Sequence, residues 1–195
     1  DKDVEHLILF VHGIGLNGHK HGIYLKSRVE EINFPLCTKV YLVNANVGSH
    51  SYQTLYNTLG GIQRGGERIV TELKELFKPE NDFFKNLKYI SVIGASMGGI
   101  YLRYVLPTLQ QICGDEIKFF SYISLATPHL GISGVQTKYP AWILSHVGSG
   151  NDLMCNSEEF CIFDLCAEKY TTPLKNFTKR ISYAPIFNDG MVSFP

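Results

Sequence analysis

The chain has 195 residues, 45% hydrophobic and 18% charged, which suits one globular domain with a substantial core and is too little for two. Eighteen basic residues balance eighteen acidic ones, so no excess of positive charge exists to neutralise phosphates, which excludes nucleic-acid binding as a first reading. Apolar runs such as Leu7 to Val11 and Ile90 to Ile93 fall far short of the roughly 18–20 residues that a membrane-spanning helix needs.

Cys37, Cys113, Cys155, Cys161 and Cys166 spell neither a paired framework nor a CxxC metal pattern. They are expected as buried or free thiols in a reducing compartment, which points to the cytoplasm, with membrane association as an option. The sequon Asn176-Phe177-Thr178 is read as incidental. The sequence starts at Asp1 without a signal peptide and stops at Pro195 just after an Asn-Asp-Gly turn; residues 1–195 are expected to be one domain, incomplete, from a longer protein.

His6 to Val11 is a short apolar run closed by His12-Gly13, as in a strand buried on both faces of a parallel sheet. Ile23, Leu25, Val29 and Ile32 then recur at near-helical spacing until Pro35. Thr38 to Val43 predicts a second strand, and Asn46 to Gly61, without a clear period, a long loop. Ile69, Val70, Leu73, Leu76 and Phe77 mark one face of a helix. Tyr89 to Ile93 is the third strand, Ile100 to Ile112 a helix, and Ile117 to Leu125 the fourth strand. An irregular stretch from Thr127 to Ser157 precedes a helix near Phe160 to Tyr170, a turn at Leu174 to Phe177, and a last strand from Ile181 to Phe187. Strands alternating with helices imply right-handed crossovers and a mostly parallel sheet covered on both faces, with ligands outside the carboxyl ends of the strands.

That edge holds the residues of interest. Ser96, in Gly94-Ala95-Ser96-Met97-Gly98, lies between a strand and a helix, where a sharp turn lifts a hydroxyl clear of the sheet. An acyl-transfer site also needs backbone N–H groups for the oxyanion; Met97 follows the nucleophile, and Ile14 or Gly13 supplies the second donor from the His12-Gly13-Ile14-Gly15 loop. Four aspartates follow Ser96. Asp115 precedes a strand, Asp152 and Asp164 fall in the irregular stretch and a helix, and Asp189 alone lies just past the carboxyl end of a strand, which makes it the candidate acid. The base is the open position, because the order nucleophile, acid, histidine calls for a histidine after Asp189 and none follows. His129 and His146 are weak candidates within the chain, and a histidine beyond Pro195 is favoured.

Val11-His12-Gly13, Gly94-Ala95-Ser96-Met97-Gly98-Gly99, Ala126-Thr127-Pro128-His129-Leu130-Gly131 and Asn188-Asp189-Gly190, with Gly66-Glu67-Arg68 before the third strand, resemble a eukaryotic serine esterase family, lipase-like members of the α/β-hydrolase superfamily. The resemblance covers nearly the whole chain. It implies an α/β-hydrolase fold that lacks its final strand and helix here, Ser96 as nucleophile, Asp189 as acid, and a structural rather than catalytic Thr-Pro-His-Leu-Gly motif. Two departures stand out: the segment with the family's catalytic histidine is absent, and Gly190-Met191-Val192-Ser193-Phe194-Pro195 replaces a more usual Val-Pro pair.

The resemblance further implies a carboxylic ester as substrate, with a lipid acyl ester expected. Such chemistry needs no metal or organic cofactor. An apolar acyl chain needs an apolar wall or lid, for which Trp142, Ile143 and Leu144, or Tyr52, Leu55 and Tyr56, are the candidates beside simple core filling. The partners expected are a small-molecule or lipid ester and a peripheral lipid surface. Two other functions use the same residues: a non-catalytic binding or scaffold module, and acyl transfer to an acceptor other than water.

Overall fold

A computed structural model describes residues 4–15, 18–81, 84–132, 148–158 and 160–185. Five strands form one sheet: β1 (His6–Val11), β2 (Thr38–Leu42), β3 (Tyr89–Ala95), β4 (Lys118–Leu125) and β5 (Lys179–Tyr183). They lie in the order β2-β1-β3-β4-β5, and every adjacent pair is parallel. The helices are α1 (Gly18–Glu31), α2 (Ser51–Leu59), α3 (Ile62–Leu76), α4 (Met97–Cys113), α5 (Gly148–Met154) and α6 (Glu168–Lys175), with a 3₁₀ turn over Ile162–Cys166. This is the mostly parallel sheet that the alternation of elements predicts, in keeping with the α/β-hydrolase fold that the resemblance implies.

Alternation along β1 divides the core. Leu7, Leu9 and Val11 point to one face and pack with Ile69 and Leu73 of α3 and Ile100 and Leu106 of α4. Ile8 and Phe10 point to the other, where Leu25 and Val29 of α1 cover them. Burial on both sides explains why β1 reads as an unbroken apolar run. Among the described residues no helix is long and apolar enough to cross a membrane.

Several sequence expectations need correction. Residues 51–59 are helix α2, not loop, because the positions α2 buries are Thr54 and Thr58, so no apolar periodicity marks its inner face. The helix expected near Phe160 to Tyr170 is instead a 3₁₀ turn and α6, separated by Ala167, whose backbone is extended at φ −60°, ψ 150°. Strand β5 runs two residues earlier than predicted at its start and ends at Tyr183. Cys155 and Cys161 are disulfide-bonded across the turn between α5 and the 3₁₀ segment, which withdraws the argument from thiols for a reducing compartment; Cys37, Cys113 and Cys166 are in no disulfide.

Candidate active site

The strand ends are level. Val11 of β1 pairs with Gly94 of β3, Gly94 with Ser124 of β4, and Ser124 with Ser182 of β5, so the residues just after these positions share one row along the carboxyl edge. Ser96 lies on that row between β3 and α4 with φ 51° and ψ −124°, a left-handed conformation that a non-glycine residue adopts only where its surroundings enforce it. Its N–H is held by the Leu125 carbonyl at 2.7 Å. The Ser96 hydroxyl makes no hydrogen bond to any described residue.

Two glycines enforce the turn. A methyl group on Gly98 would lie 2.0 Å from the Val11 carbonyl oxygen, so only glycine lets α4 start this close to β1. One on Gly13 would lie 2.6 Å from Ser96 Cβ and 3.1 Å from the Met97 nitrogen, which places the Gly13 backbone directly beside both. Met97 is the first residue of α4, so its N–H has no partner within the helix.

His12 fixes the facing peptide. It is buried, and its Nδ1–H donates to the Gly13 carbonyl at 2.8 Å. The described peptide bonds are all trans, so locking the Gly13 carbonyl onto the imidazole turns the Ile14 N–H away from that ring. The sequence marks His12 only as the neighbour of Gly13 in this loop, with no role of its own.

His129 is engaged elsewhere. Its Nε2 lies 2.9 Å from Ser124 Oγ, and Ser124 donates onward to Ser182 Oγ at 3.1 Å, which leaves the Ser124 oxygen as acceptor for the imidazole N–H. Its carbonyl accepts from Arg103. Burial, then the nearby Arg103 charge, lowers its pKa to about 4. A base that weak is poorly matched to proton abstraction near neutral pH.

The aspartates separate too. Asp152 is buried in α5, and its Oδ2 accepts the N–H of Ile62 at 2.6 Å, while Ser149 Oγ accepts that of Gly61 at 3.1 Å; α5 thus caps the start of α3. No local sequence signal announced this cap, because its partners lie 90 residues apart. Asp164 accepts the Cys161 N–H at 2.6 Å, and Asp115 follows α4 at the opposite edge of the sheet. Asp189, His146, Trp142, Ile143 and Leu144 lie outside the described residues. A cavity of about 530 Å³ between the α2–α3 junction and α5 is lined by Tyr56, Leu59, Arg64, Asn151 and Asp152 among others; its described walls include neither Ser96 nor Gly13, so it is not taken as the acyl site.

A family model described as "Putative serine esterase (DUF676)" matches residues 1–195. The chain belongs to that family. Two yeast relatives carry related names. "Putative lipase C4A8.10" of Schizosaccharomyces pombe is 26% identical over 206 residues, covering 97% of the chain and 25% of that protein. "Putative lipase YDR444W" of Saccharomyces cerevisiae is 28% identical over 136 residues, covering 66% of the chain and 19% of that protein. The chain therefore spans a quarter or less of the length of these curated relatives. Solved structures of similar fold include Est1E from Butyrivibrio proteoclasticus, at TM-score 0.52 and 14% identity over 94% of this chain and 79% of that one. A lipase-esterase related protein from Clostridium acetobutylicum also scores 0.52, at 15% identity over 98% and 88%. At such identities the likeness is one of fold.

Proposed function

We propose that this serine esterase segment hydrolyses carboxylic esters through an acyl-enzyme on Ser96, and that its substrates are lipid acyl esters. The observation that carries the reading is the left-handed Ser96 at the β3–α4 turn, its hydroxyl unspent and the Gly13 backbone against it. In the first step Ser96 Oγ attacks the ester carbonyl and loses its proton to a base, while the N–H groups of Met97 and Ile14, with Gly13 as the alternative second donor, hold the oxyanion. The alkoxide then leaves with that proton, and water releases the acid by the reverse path. Asp189 is assigned the role of orienting the base. The base is assigned to a histidine outside these 195 residues, a reading supported by the commitment of His129 to Ser124 and by the much greater length of the relatives.

The test is covalent. The full-length protein treated with a fluorophosphonate probe should carry the adduct on the peptide containing Ser96, by mass spectrometry. Labelling on another residue, or labelling that survives Ser96→Ala, removes Ser96 from the mechanism. A protein that folds and is never labelled favours the scaffold reading.

A further inference from the structure

Charge in this chain is sorted by sheet edge. The segments that leave β1 to β4 at the carboxyl edge, residues 12–15, 43–50, 96 and 126–132, contain no Asp, Glu, Lys or Arg. The opposite edge carries Glu5, Lys78, Glu80, Lys88, Asp115 and Glu116 among others. The longest uncharged run is Val40 to Gln63, in a chain whose charged fraction is 18%. Helix α2 lies inside it.

The amphipathic pattern of α2 is inverted. Its inner face is polar, with Thr54 7% and Thr58 0% exposed, while Tyr52, Leu55 and Tyr56, which share one face at i, i+3 and i+4, are 68%, 38% and 79% exposed. Leu130, in the loop that leaves β4 at the same edge, is 79% exposed. The helix is firmly seated: Tyr101 donates to the Thr58 carbonyl at 2.9 Å, Ser149 donates to it at 2.7 Å, and the Arg68 guanidinium donates to the Asn57 carbonyl. The apolar side is thus displayed by a fixed helix whose inner face is satisfied by hydrogen bonds.

Such a face selects its partner by what it lacks. An anionic membrane or a charged protein surface is recognised through complementary charge, and the described segments that leave β1 to β4 at this edge offer none. A neutral lipid–water interface asks for no charged group to be desolvated, an aliphatic side chain to insert, and amphipathic rings to sit at headgroup level. We propose that α2, through Tyr52, Leu55 and Tyr56 and with Leu130, docks the protein on a neutral or zwitterionic lipid surface, on the sheet edge that carries Ser96. The proposal deepens the lipid-ester reading and rests on it for its biological sense.

Sedimentation of the full-length protein with phosphatidylcholine vesicles tests it. Partitioning should be present, insensitive to added phosphatidylserine, and undiminished by high salt. The triple variant Tyr52→Asp, Leu55→Asp, Tyr56→Asp should bind vesicles about tenfold or more weakly, with unchanged thermal melting. If the triple variant melts early, Tyr56→Ser alone should melt normally and still lose about threefold. Failure of the parent to partition, a requirement for phosphatidylserine, or variants that bind as well as the parent would each overturn the proposal. So would a parent that self-associates through α2 instead of binding vesicles. Vesicle binding without Ser96 labelling would keep the docking face and remove the hydrolase reading, and labelling without vesicle binding would do the reverse.

Discussion

The turn after β3 and the turn after β4 are built alike and employed differently. Each stops its strand with a non-glycine residue in the left-handed region, Ser96 at φ 51° and Ala126 at φ 49°, and each follows within a few residues with a side chain suited to hydrolysis or is that side chain. The Ser96 hydroxyl is uncommitted among the described residues. The His129 imidazole is spent on Ser124, in a run of hydrogen bonds toward β5. Residue type and sheet edge are therefore not enough to mark a catalytic group; what distinguishes the first turn is that the strained residue itself carries the uncommitted hydroxyl, with the Gly13 backbone against it.

The comparison breaks most sharply in kinetics. Ser96→Ala should lower p-nitrophenyl butyrate turnover by the full worth of the catalytic machinery, about 10⁶-fold where nucleophile and base act as a unit. His129→Gln should leave turnover within about threefold, since it touches no group proposed to react. A loss on His129→Gln as deep as that on Ser96→Ala would show that the β4 turn supplies the base. The next effect in size separates two aspartates. Asp189→Asn should cost about 10⁴ in turnover, the value known for the equivalent change in a serine protease. Asp152→Asn should instead cost about 1–2 kcal/mol of stability through the α3 cap, with turnover per folded molecule preserved. Chemical denaturation run beside steady-state kinetics distinguishes them, and a reversed pattern would move the acid to α5.

A smaller effect sharpens the picture of the first turn. If His12 aims the Ile14 N–H by holding the Gly13 carbonyl, His12→Ala should lower kcat by about 10–100-fold with KM little changed, less than the loss of an oxyanion donor itself. His12→Asn, whose amide nitrogen can reach the same carbonyl, should recover part of that loss. Equal kcat for all three proteins would make His12 a packing residue only.

What the sequence disclosed follows the same division between apolar and polar determinants. The strands and α3 were legible because burial writes itself as runs and periods of Leu, Ile and Val, and Ser96 was legible because the glycines around it are demanded by backbone contacts such as Gly98 against Val11. Helix α2 was not, since Thr54 and Thr58 are its inner face and its apolar residues face outward. The Asp152 cap was not, because its partners lie 90 residues apart, and the Cys155–Cys161 bond was not, because a separation of six residues spells no recognised cysteine motif. His12 stood in plain view before Gly13, but only the structure shows which carbonyl it holds.

The least of the expected effects tests the second turn by pH. Folding keeps His129 neutral, its pKa lowered to about 4 by burial and by Arg103, whereas in the unfolded chain a histidine titrates near its ordinary value of about 6.5. Above that ordinary value both states are neutral and the full stability is present. As pH falls through the window between the two values only the unfolded chain binds the proton, so stability declines; below about 4 both states are protonated and the decline stops. Discounted for the partial solvent access of the imidazole, the loss at pH 5 is about 1 kcal/mol, or about 2–4 °C in Tm for a chain of this size. His129→Gln keeps a donor for Ser124 and removes the titration, so the difference between its melting curve and that of the parent should grow as pH falls from 7 to about 4 and then level off. Other groups that titrate in this range are common to both proteins and cancel in that difference. A His129 that NMR shows titrating near pH 7, and shifting on Ser96→Ala, would place its imidazole in the active site and erase the contrast between the two turns.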